Sequence, residues 1–446
     1  MEMGRARMGG SRPILVGLVA VLLGLSPSLL AQNTGKTVRH HKVAVEDASL
    51  PAELVKAESA LEKKDYVSAE PLLKQVTDRD PANYRAWFDL GFLYNATGRS
   101  EDSIAAYRKS VAAKPDVFES NLNLGLMLAK TKQADAEQFL RAATKLNPTE
   151  HAAEGQAQAW LALGHFLEAS KPLEAVEAYR AAAMLRPSDP EPHLSAASLL
   201  VKQNKFADAE EEYKQVLARD PKSAAALIGI AGIYTRGDRL TEAAGILRKL
   251  VTLSPDYAPA HFELARVLAA DGKKDEAIAE LQAGLKISPN DTRAQRDLAE
   301  AYAAAGKYDQ ALPLYQALLA SSPNDPELHH SLGQALMRQK KFAEAQQEFL
   351  TAVKLKPDFG AAYGDLAFAA SENKNYPLTI KALDARAKFL TETPETYFLR
   401  ATAYDHLKAN KEAAANYHLF LQVAGGQYPD QEWQARHRLI AIEPKK

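Results

Sequence analysis

The stretch from Trp87 to Pro115 reads WFDLGFLYNATGRSEDSIAAYRKSVAAKP, and one unit of this kind recurs along the chain. Apolar residues return at helical spacing in its first half, where Leu90 and Tyr94 follow Trp87. A second apolar run begins after the break Gly-Arg-Ser, whose residues are typical of turns and helix caps. The stretch therefore predicts two helices joined by a turn.

A proline closes this unit, and prolines recur along the chain with a step of 34 residues that is broken only around the third and fourth units. A fixed period of this length is typical of stacked copies of one small unit rather than of a single globular core. Proline also ends a helix, because it lacks the amide hydrogen and restricts the residue before it. The nine prolines are Pro81, Pro115, Pro148, Pro187, Pro221, Pro255, Pro289, Pro323 and Pro357.

Three other positions of the unit keep their side-chain size when the proline is numbered 32. Position 8 is always glycine or alanine, position 20 is always small, and position 24 is always large. Small residues let two helices approach closely, and the large residue fills the space between them. The pattern continues through two last units without the proline, so it predicts an all-α array of eleven helix hairpins over residues 50–427.

This pattern resembles the tetratricopeptide repeat, whose units carry Trp, Leu, Gly and Tyr followed by Ala, Phe, Ala and Pro. The resemblance rests on the stretch from Trp87 to Pro115 and extends over residues 50–427. It implies a right-handed superhelical solenoid of stacked helix-turn-helix repeats. It also implies a non-enzymatic protein-binding scaffold whose first helices line a concave face.

Some repeats depart from the period. The third and fourth have each lost one residue, and His151–Gln156 adds a short segment before the fourth. The tenth is the weakest, with Thr379, Arg386 and Thr391 where smaller apolar residues and proline would fit better. We expect a change of curvature or greater mobility at these places.

The first thirty-one residues carry the pattern of an export signal. Three arginines precede the apolar run Ile14–Leu25, and Ala31 is a suitable cleavage residue. We therefore expect a signal peptide over residues 1–31 and an exported protein, in a periplasm or cell envelope. An uncleaved segment would instead anchor the chain in a membrane. The chain has no cysteine, which excludes disulfides, cysteine-bound metals and a lipoprotein-type lipid anchor.

The remaining ends have separate roles. Residues 32–49 show no helical periodicity and are predicted to be a flexible linker. Residues 428–446 include the amphipathic stretch Asp430–Ala441, which is predicted to be a capping helix, because the last repeat of a solenoid needs a polar outer face.

No motif for catalysis, a cofactor or a metal is present. His193, His261 and His329 occupy position 4, where the second repeat has Trp87, and none has a histidine four residues away. Packing between helices is therefore favoured over metal binding. The acidic run at residues 210–212 mixes with lysine and is typical of a solvated helix face. With a net charge of −1 and no basic stripe, the chain is not expected to bind nucleic acid.

The candidate partner-binding residues follow from the resemblance, which implies that positions 2, 5, 6, 9, 12 and 13 of each first helix form the concave face. Apolar side chains dominate this row in the early repeats, and polar ones follow from the eighth. The alternative is that the apolar ones pack the helices together. The candidates are Phe88, Phe92, Leu122, Leu126, Phe262, Arg293, Arg296 and His330.

Two ligand patterns known in the family are disfavoured. The carboxylate clamp that holds chaperone tails needs Lys at position 5 and Asn at position 9, and no repeat has this pair. The asparagine ladder of glycosyltransferase-type arrays needs Asn at position 6 repeatedly, and only Asn123 matches.

Three functions remain. The first is a scaffold that binds an extended peptide or a helix of a partner protein in the concave groove. The second is a structural part of a secretion, pilus or outer-membrane machine. The third is an enzyme, which would need a catalytic domain that the short ends cannot form. The partner's identity and the oligomeric state stay open.

Overall fold

Paired helices make up the described part of the chain. The computed structural model describes residues 50–149 and 151–443, and within these ranges it contains 23 helices and no strand. None of these helices is long and apolar enough to cross a lipid bilayer. The predicted signal peptide and linker, residues 1–31 and 32–49, lie outside the described residues. The chain divides into two units between Arg239 and Leu240.

Unit 1 is a stack of five hairpins followed by the first helix of the sixth repeat. Within it, each hairpin pairs a first helix with a second helix, and each second helix also packs against the next first helix. The helices are α1 Ala52–Glu62, α2 Tyr66–Arg79, α3 Tyr84–Ala96, α4 Ser100–Ala113, α5 Phe118–Lys130, α6 Ala136–Ala143, α7 Ala152–Leu167, α8 Pro172–Leu185, α9 Glu191–Lys202, α10 Phe206–Arg219 and α11 Ala224–Arg236.

Unit 2 begins with the second helix of the sixth repeat and continues through five hairpins to a single last helix. Inside this unit each second helix packs against the next first helix, and from α14 onward each second helix also packs against its own first helix. The helices are α12 Leu240–Leu253, α13 Ala258–Ala270, α14 Lys274–Ile287, α15 Thr292–Ala304, α16 Tyr308–Ser321, α17 Pro326–Arg338, α18 Phe342–Leu355, α19 Gly360–Glu372, α20 Tyr376–Arg386, α21 Pro394–His406, α22 Asn410–Ala424 and α23 Pro429–Ile442.

Small and large side chains interlock as their spacing predicts. A Cβ atom added to Gly91 would lie 2.6 Å from the ring of Tyr107, and one added to Gly164 would lie 2.7 Å from the ring of Tyr179. The two helices of a hairpin are therefore in contact at position 8. All eleven residues at position 20 have no exposed surface: Ala69, Ser103, Ala136, Ala175, Ala209, Ala243, Ala277, Ala311, Ala345, Thr379 and Ala413.

The turns after ten first helices share one backbone conformation. Position 15 has a φ between 57° and 78°, in the left-handed region. At Gly98 this conformation lets the amide of Arg99 donate to the carbonyl of Tyr94 at 2.8 Å, which ends the helix. Seven of the ten residues carry a side chain in this conformation: Lys64, Lys132, Asn204, Asp238, Lys340, Lys374 and Lys408.

Two second helices are short, and both belong to repeats whose sequences depart from the period. The helix α6 has 8 residues and α20 has 11, whereas second helices such as α18 have 14. In the tenth repeat Arg386 ends α20 and donates through Nη1 to the carbonyl of Thr391 at 3.0 Å. The side chain of Arg386 thus bonds to the loop that follows α20, at the place where other second helices continue for about one more turn.

Candidate functional site

The first-helix face is defined here as positions 2, 5, 6, 9, 12 and 13 of the first helices, and it differs between the repeats. In unit 1, Phe92 on α3 and Leu126 on α5 occupy position 9 and are half-buried. Part of each side chain is therefore available for a partner to contact. These two candidates are the apolar members of the predicted set that remain accessible.

The apolar candidates at position 5 are covered by their own protein. Phe88 is 8% exposed, and its ring centroid lies 5.7 Å from that of Tyr107. Leu122 has no exposed surface, and Phe262 fills the space above Gly284, where an added Cβ would lie 2.3 Å from its ring. These three side chains pack the helices together, which leaves a partner little surface to contact on them.

Polar side chains on the first helices of unit 2 bond to one another across neighbouring repeats. Arg266 of α13 donates through Nε to Asp297 of α15 at 2.9 Å and through Nη1 to Glu263 at 2.6 Å. Arg296 of α15 pairs with Asp325 in the turn before α17. Since each bond fixes the rotamer of an arginine, these guanidinium groups are held in place before any ligand arrives.

A second polar group joins the ninth and tenth repeats. His330 on α17 contacts Asp365 on α19 through Nε2 at 2.9 Å, and Gln334 donates to the same carboxylate oxygen at 2.8 Å. The His330 ring also contacts the rings of Phe359 and Phe349, with centroid distances of 4.8 and 5.6 Å. The structure thus brings the predicted residue His330 into a fixed cluster.

The charged side chains on the first-helix face of unit 2 differ in their exposure to water and in their pKa values. Burial raises the pKa of Glu263, and the guanidinium groups of Arg266 and Arg293 oppose that rise. Burial also raises the pKa of Glu300, the nearby carboxylate of Asp297 adds to the rise, and Arg296 opposes it. Glu300 is exposed, whereas Glu263 is half-buried, so surrounding protein limits the access of water to Glu263 and strengthens the hydrogen bond that it accepts from Arg266. Arg293, which was predicted as a partner contact, is exposed.

Two exposed aromatic side chains on this face were not among the predicted candidates. Phe368 at position 9 of α19 is 37% exposed, one helical turn after Asp365, so both lie on the same side of the helix. Trp433 on α23 is 60% exposed. Ala435 is fully buried at position 8 of α23, which places Trp433 at position 6. The repeat register could have found both residues, since positions 6 and 9 belong to the first-helix face and position 9 had singled out Phe92.

The described residues hold no cluster of three or more histidine and carboxylate side chains arranged to bind a metal ion. What the face offers is hydrogen-bonding groups in fixed positions beside exposed aromatic rings. Such a combination suits recognition of a peptide, where aromatic anchors supply affinity and polar groups supply orientation.

Stacked helix hairpins whose first helices present fixed polar groups and exposed aromatic rings define a helical repeat protein of the protein-binding class. Two family models, both described as a tetratricopeptide repeat, match the sequence. The first matches residues 54–118, 93–151 and 194–258, and the second matches residues 237–301 and 302–367. The chain belongs to the tetratricopeptide repeat family. Members of this family are in general scaffolds for protein–protein interaction.

Individual similar proteins resemble parts of the chain. Tetratricopeptide repeat protein 37 of Xenopus laevis is 31% identical over 87 residues, which are 20% of this chain and 6% of that protein's length. The APC/C hetero-tetramer Cut9–Hcn1 is 17% identical, covers 88% of this chain and 97% of its own, and has a TM-score of 0.38. YrrB, described as a TPR protein with an unusual peptide-binding site, is 23% identical. The match covers 42% of this chain and 96% of the YrrB chain, with a TM-score of 0.37.

Proposed function

We propose that the protein is a non-enzymatic scaffold that holds an extended peptide or a helix of a partner protein against its first-helix face. The observation that carries this proposal is in unit 2, where exposed Phe368 lies one turn from the fixed cluster of His330, Gln334 and Asp365. An exposed aromatic ring beside pre-positioned polar groups is an arrangement that binding hot spots favour.

The two kinds of group have separate tasks in this proposal. Phe368 would lose its remaining contact with water on binding, which contributes affinity in proportion to the apolar area covered. The polar cluster would accept and donate hydrogen bonds to the peptide backbone without first losing side-chain freedom, because its own bonds already fix it. In unit 1 the half-buried Phe92 and Leu126 would act as further apolar contacts, and in unit 2 Arg293 and Arg296 would contact acidic groups of the partner.

Replacing Phe368 with aspartate is expected to weaken peptide binding at least tenfold, because a charge replaces the apolar anchor. A displayed library of random peptides would be selected on the purified chain, and the affinity of selected peptides would be measured by calorimetry. Leu355→Asp is the matched control, since Leu355 is 36% exposed but ends the second helix α18. It should bind these peptides as the unchanged chain does.

Equal loss of binding in the two variants would contradict the proposed face, as would selected peptides that bind Phe368→Asp normally. Circular dichroism of both variants checks that the helices persist. Light scattering on the same samples tests the structural-assembly alternative. That alternative gains support if the molar mass of the purified chain rises with its concentration and no peptide is selected.

We also propose that this scaffold works outside the cytoplasm, in a periplasm or cell envelope. Support comes from the sequence alone, namely the arginine-rich start and the apolar run Ile14–Leu25. Expression in a bacterium followed by fractionation and N-terminal sequencing is expected to give an exported chain that begins at Gln32. A chain that stays in the cytoplasm with its first residues intact would contradict the proposal, and an intact chain in the membrane fraction would indicate an uncleaved anchor.

A further inference from the structure

The turns that join first and second helices in the ninth, tenth and eleventh repeats carry a row of lysines. Lys340, Lys374 and Lys408 occupy position 15, so each is one period of 34 residues from the next. All three residues are exposed. Since each follows the end of its first helix by two residues, they lie along one edge of unit 2. The net charge of −1 conceals this row, because acidic residues elsewhere balance it.

The backbone at these positions favours glycine over lysine. The φ angle is 61° at Lys340 and 59° at Lys374 and Lys408, in the left-handed region where a Cβ atom crowds the following carbonyl oxygen. Within the same unit, Gly272 and Gly306 occupy position 15 of the seventh and eighth repeats. Glycine is therefore sufficient to form this turn, and three lysines in succession at a position unfavourable to them indicate a role outside the fold.

The ammonium groups of the row have no partner within the described part of unit 2. None of the three side chains makes a hydrogen bond, an ion pair or a cation–π contact there. The two preceding repeats differ, because Lys273 pairs with Asp271 and Lys307 pairs with Asp275, each at 2.6 Å. Cations on this edge are thus neutralised by the protein in the seventh and eighth repeats, whereas those at position 15 of the next three stay available to a ligand.

Neighbouring charges leave the edge positive. Positions 13 to 19 of the last three repeats carry six cationic side chains and three carboxylates, namely Arg338, Lys340, Lys341, Lys374, Lys408 and Lys411 against Glu344, Glu372 and Glu412. The same positions of the seventh and eighth repeats carry three cations and four carboxylates. Two further carboxylates close to the row are engaged, since Asp309 accepts from Gln339 at 2.7 Å and Asp405 pairs with Arg438 at 2.6 Å.

The side chains beside the row suit a lipid surface. Leu407 immediately precedes Lys408 and is 43% exposed, and on the same edge Tyr376 stacks on His406 with ring centroids 4.3 Å apart. At a membrane, apolar groups enter the headgroup layer while cations meet the phosphates. Five of the six cations are lysines, which are flexible point charges. Many mobile anions suit such charges, whereas fixed carboxylates of a protein are better held by the two parallel bonds of arginine.

We propose that this lysine edge, defined as Lys340, Lys374 and Lys408, docks the protein on a membrane surface that carries anionic lipid headgroups. Neighbouring first helices lie about 10 Å apart, so the three ammonium groups form a short row that meets such a surface together. The role goes beyond the proposed scaffold function, since it uses the turns rather than the first-helix face. A partner peptide can therefore be held while the edge contacts the membrane.

Sedimentation of the full chain with lipid vesicles tests the proposal. Binding to phosphatidylcholine vesicles is expected to rise about tenfold when phosphatidylglycerol is included, and to fall with added salt, because ions screen exposed charges. The double variant Lys374→Gly with Lys408→Gly should lose about tenfold in binding to the anionic vesicles. The apolar run Ile14–Leu25 is present in every sample, so it does not affect the comparison.

The matched control is Lys64→Gly with Lys132→Gly. These lysines occupy position 15 in unit 1, are exposed, and have φ angles of 59° and 58°, but they belong to the first and third repeats and are not successive. The control removes the same charge from the same backbone conformation and should bind anionic vesicles as wild type does. Neither variant should unfold at a lower temperature than wild type, because glycine adopts the left-handed conformation more readily than lysine.

Four outcomes would overturn the proposal. They are binding that does not depend on phosphatidylglycerol, an equal loss in the two variants, a loss accompanied by a lower unfolding temperature, and binding of polyglutamate by a chain that ignores anionic vesicles. The third outcome would assign the lysines to the fold, and the fourth would assign them to an acidic protein partner. Because peptide binding through Phe368 is measured without vesicles, failure here leaves the proposed scaffold function unaffected.

Discussion

Replacing Gly333 with alanine is expected to destabilise unit 2 by about 1–3 kcal/mol, a large effect for one methyl group. Gly333 lies on α17, and a Cβ added there would be 2.7 Å from the ring of Phe349 on α18. Phe349 has no exposed surface, so the ring cannot move away without disturbing its neighbours. Urea unfolding followed by circular dichroism would measure the loss, and hydrogen exchange would locate it.

Adding Phe349→Leu to this variant should recover most of the lost stability. The seventh repeat pairs Ala265 with Leu281 at the same two positions, so the double variant recreates a combination that the chain already contains. A coupling energy of about 1 kcal/mol or more is expected from the four-variant cycle. Additive effects would mean that the two residues do not meet. Gly245→Ala is the control, because nothing lies within 4 Å of its added Cβ, and it should gain about 0.5–1 kcal/mol.

Sequence reasoning predicted the hairpins because size and period are properties of single positions. The sequence itself shows a small residue at position 8 and a large one at position 24. The structure confirms that the two positions are in contact, since the ring of Tyr107 packs against Gly91. The turn conformation was visible only where glycine marks it, as at Gly98. Lys340 adopts the same left-handed backbone, and its side chain gives no sign of it, because packing of the flanking helices imposes that conformation.

The site was harder to predict, since exposure depends on which neighbour covers a side chain. Phe88 and Phe92 differ by four residues and share one helix face, yet Tyr107 covers the first and leaves the second partly exposed. Phe368 was not predicted because the first-helix positions turn polar from the eighth repeat onward, and this aromatic residue interrupts that trend. Burial of a charge was equally invisible in sequence. Glu212 belongs to an acidic run that is typical of a solvated face, but it is 5% exposed.

The carboxylate of Glu212 joins two repeats of unit 1, and its replacement by glutamine is expected to cost about 1.5–3 kcal/mol. It accepts hydrogen bonds from Nε of Arg180 and Nδ1 of His193, each at 2.7 Å. Most of the loss should come from the bond to the largely buried His193, because Arg180 is partly exposed and water can replace its partner. Urea unfolding at pH 7, with hydrogen exchange over α9 and α10, would measure it.

The stability difference between wild type and Glu212→Gln should shrink in acid. Burial alone would raise the pKa of Glu212, but the hydrogen bonds from His193 and Arg180 outweigh it and lower the pKa below its ordinary value of 4.5. A lowered carboxyl pKa contributes stability above pH 4.5 that is lost as the pH falls through the folded-state value. Glu211→Gln removes the neighbouring exposed charge and should stay within about 0.5 kcal/mol of wild type. A constant difference from pH 7 to pH 3 would show that the charge of Glu212 does not hold α10 to its neighbours.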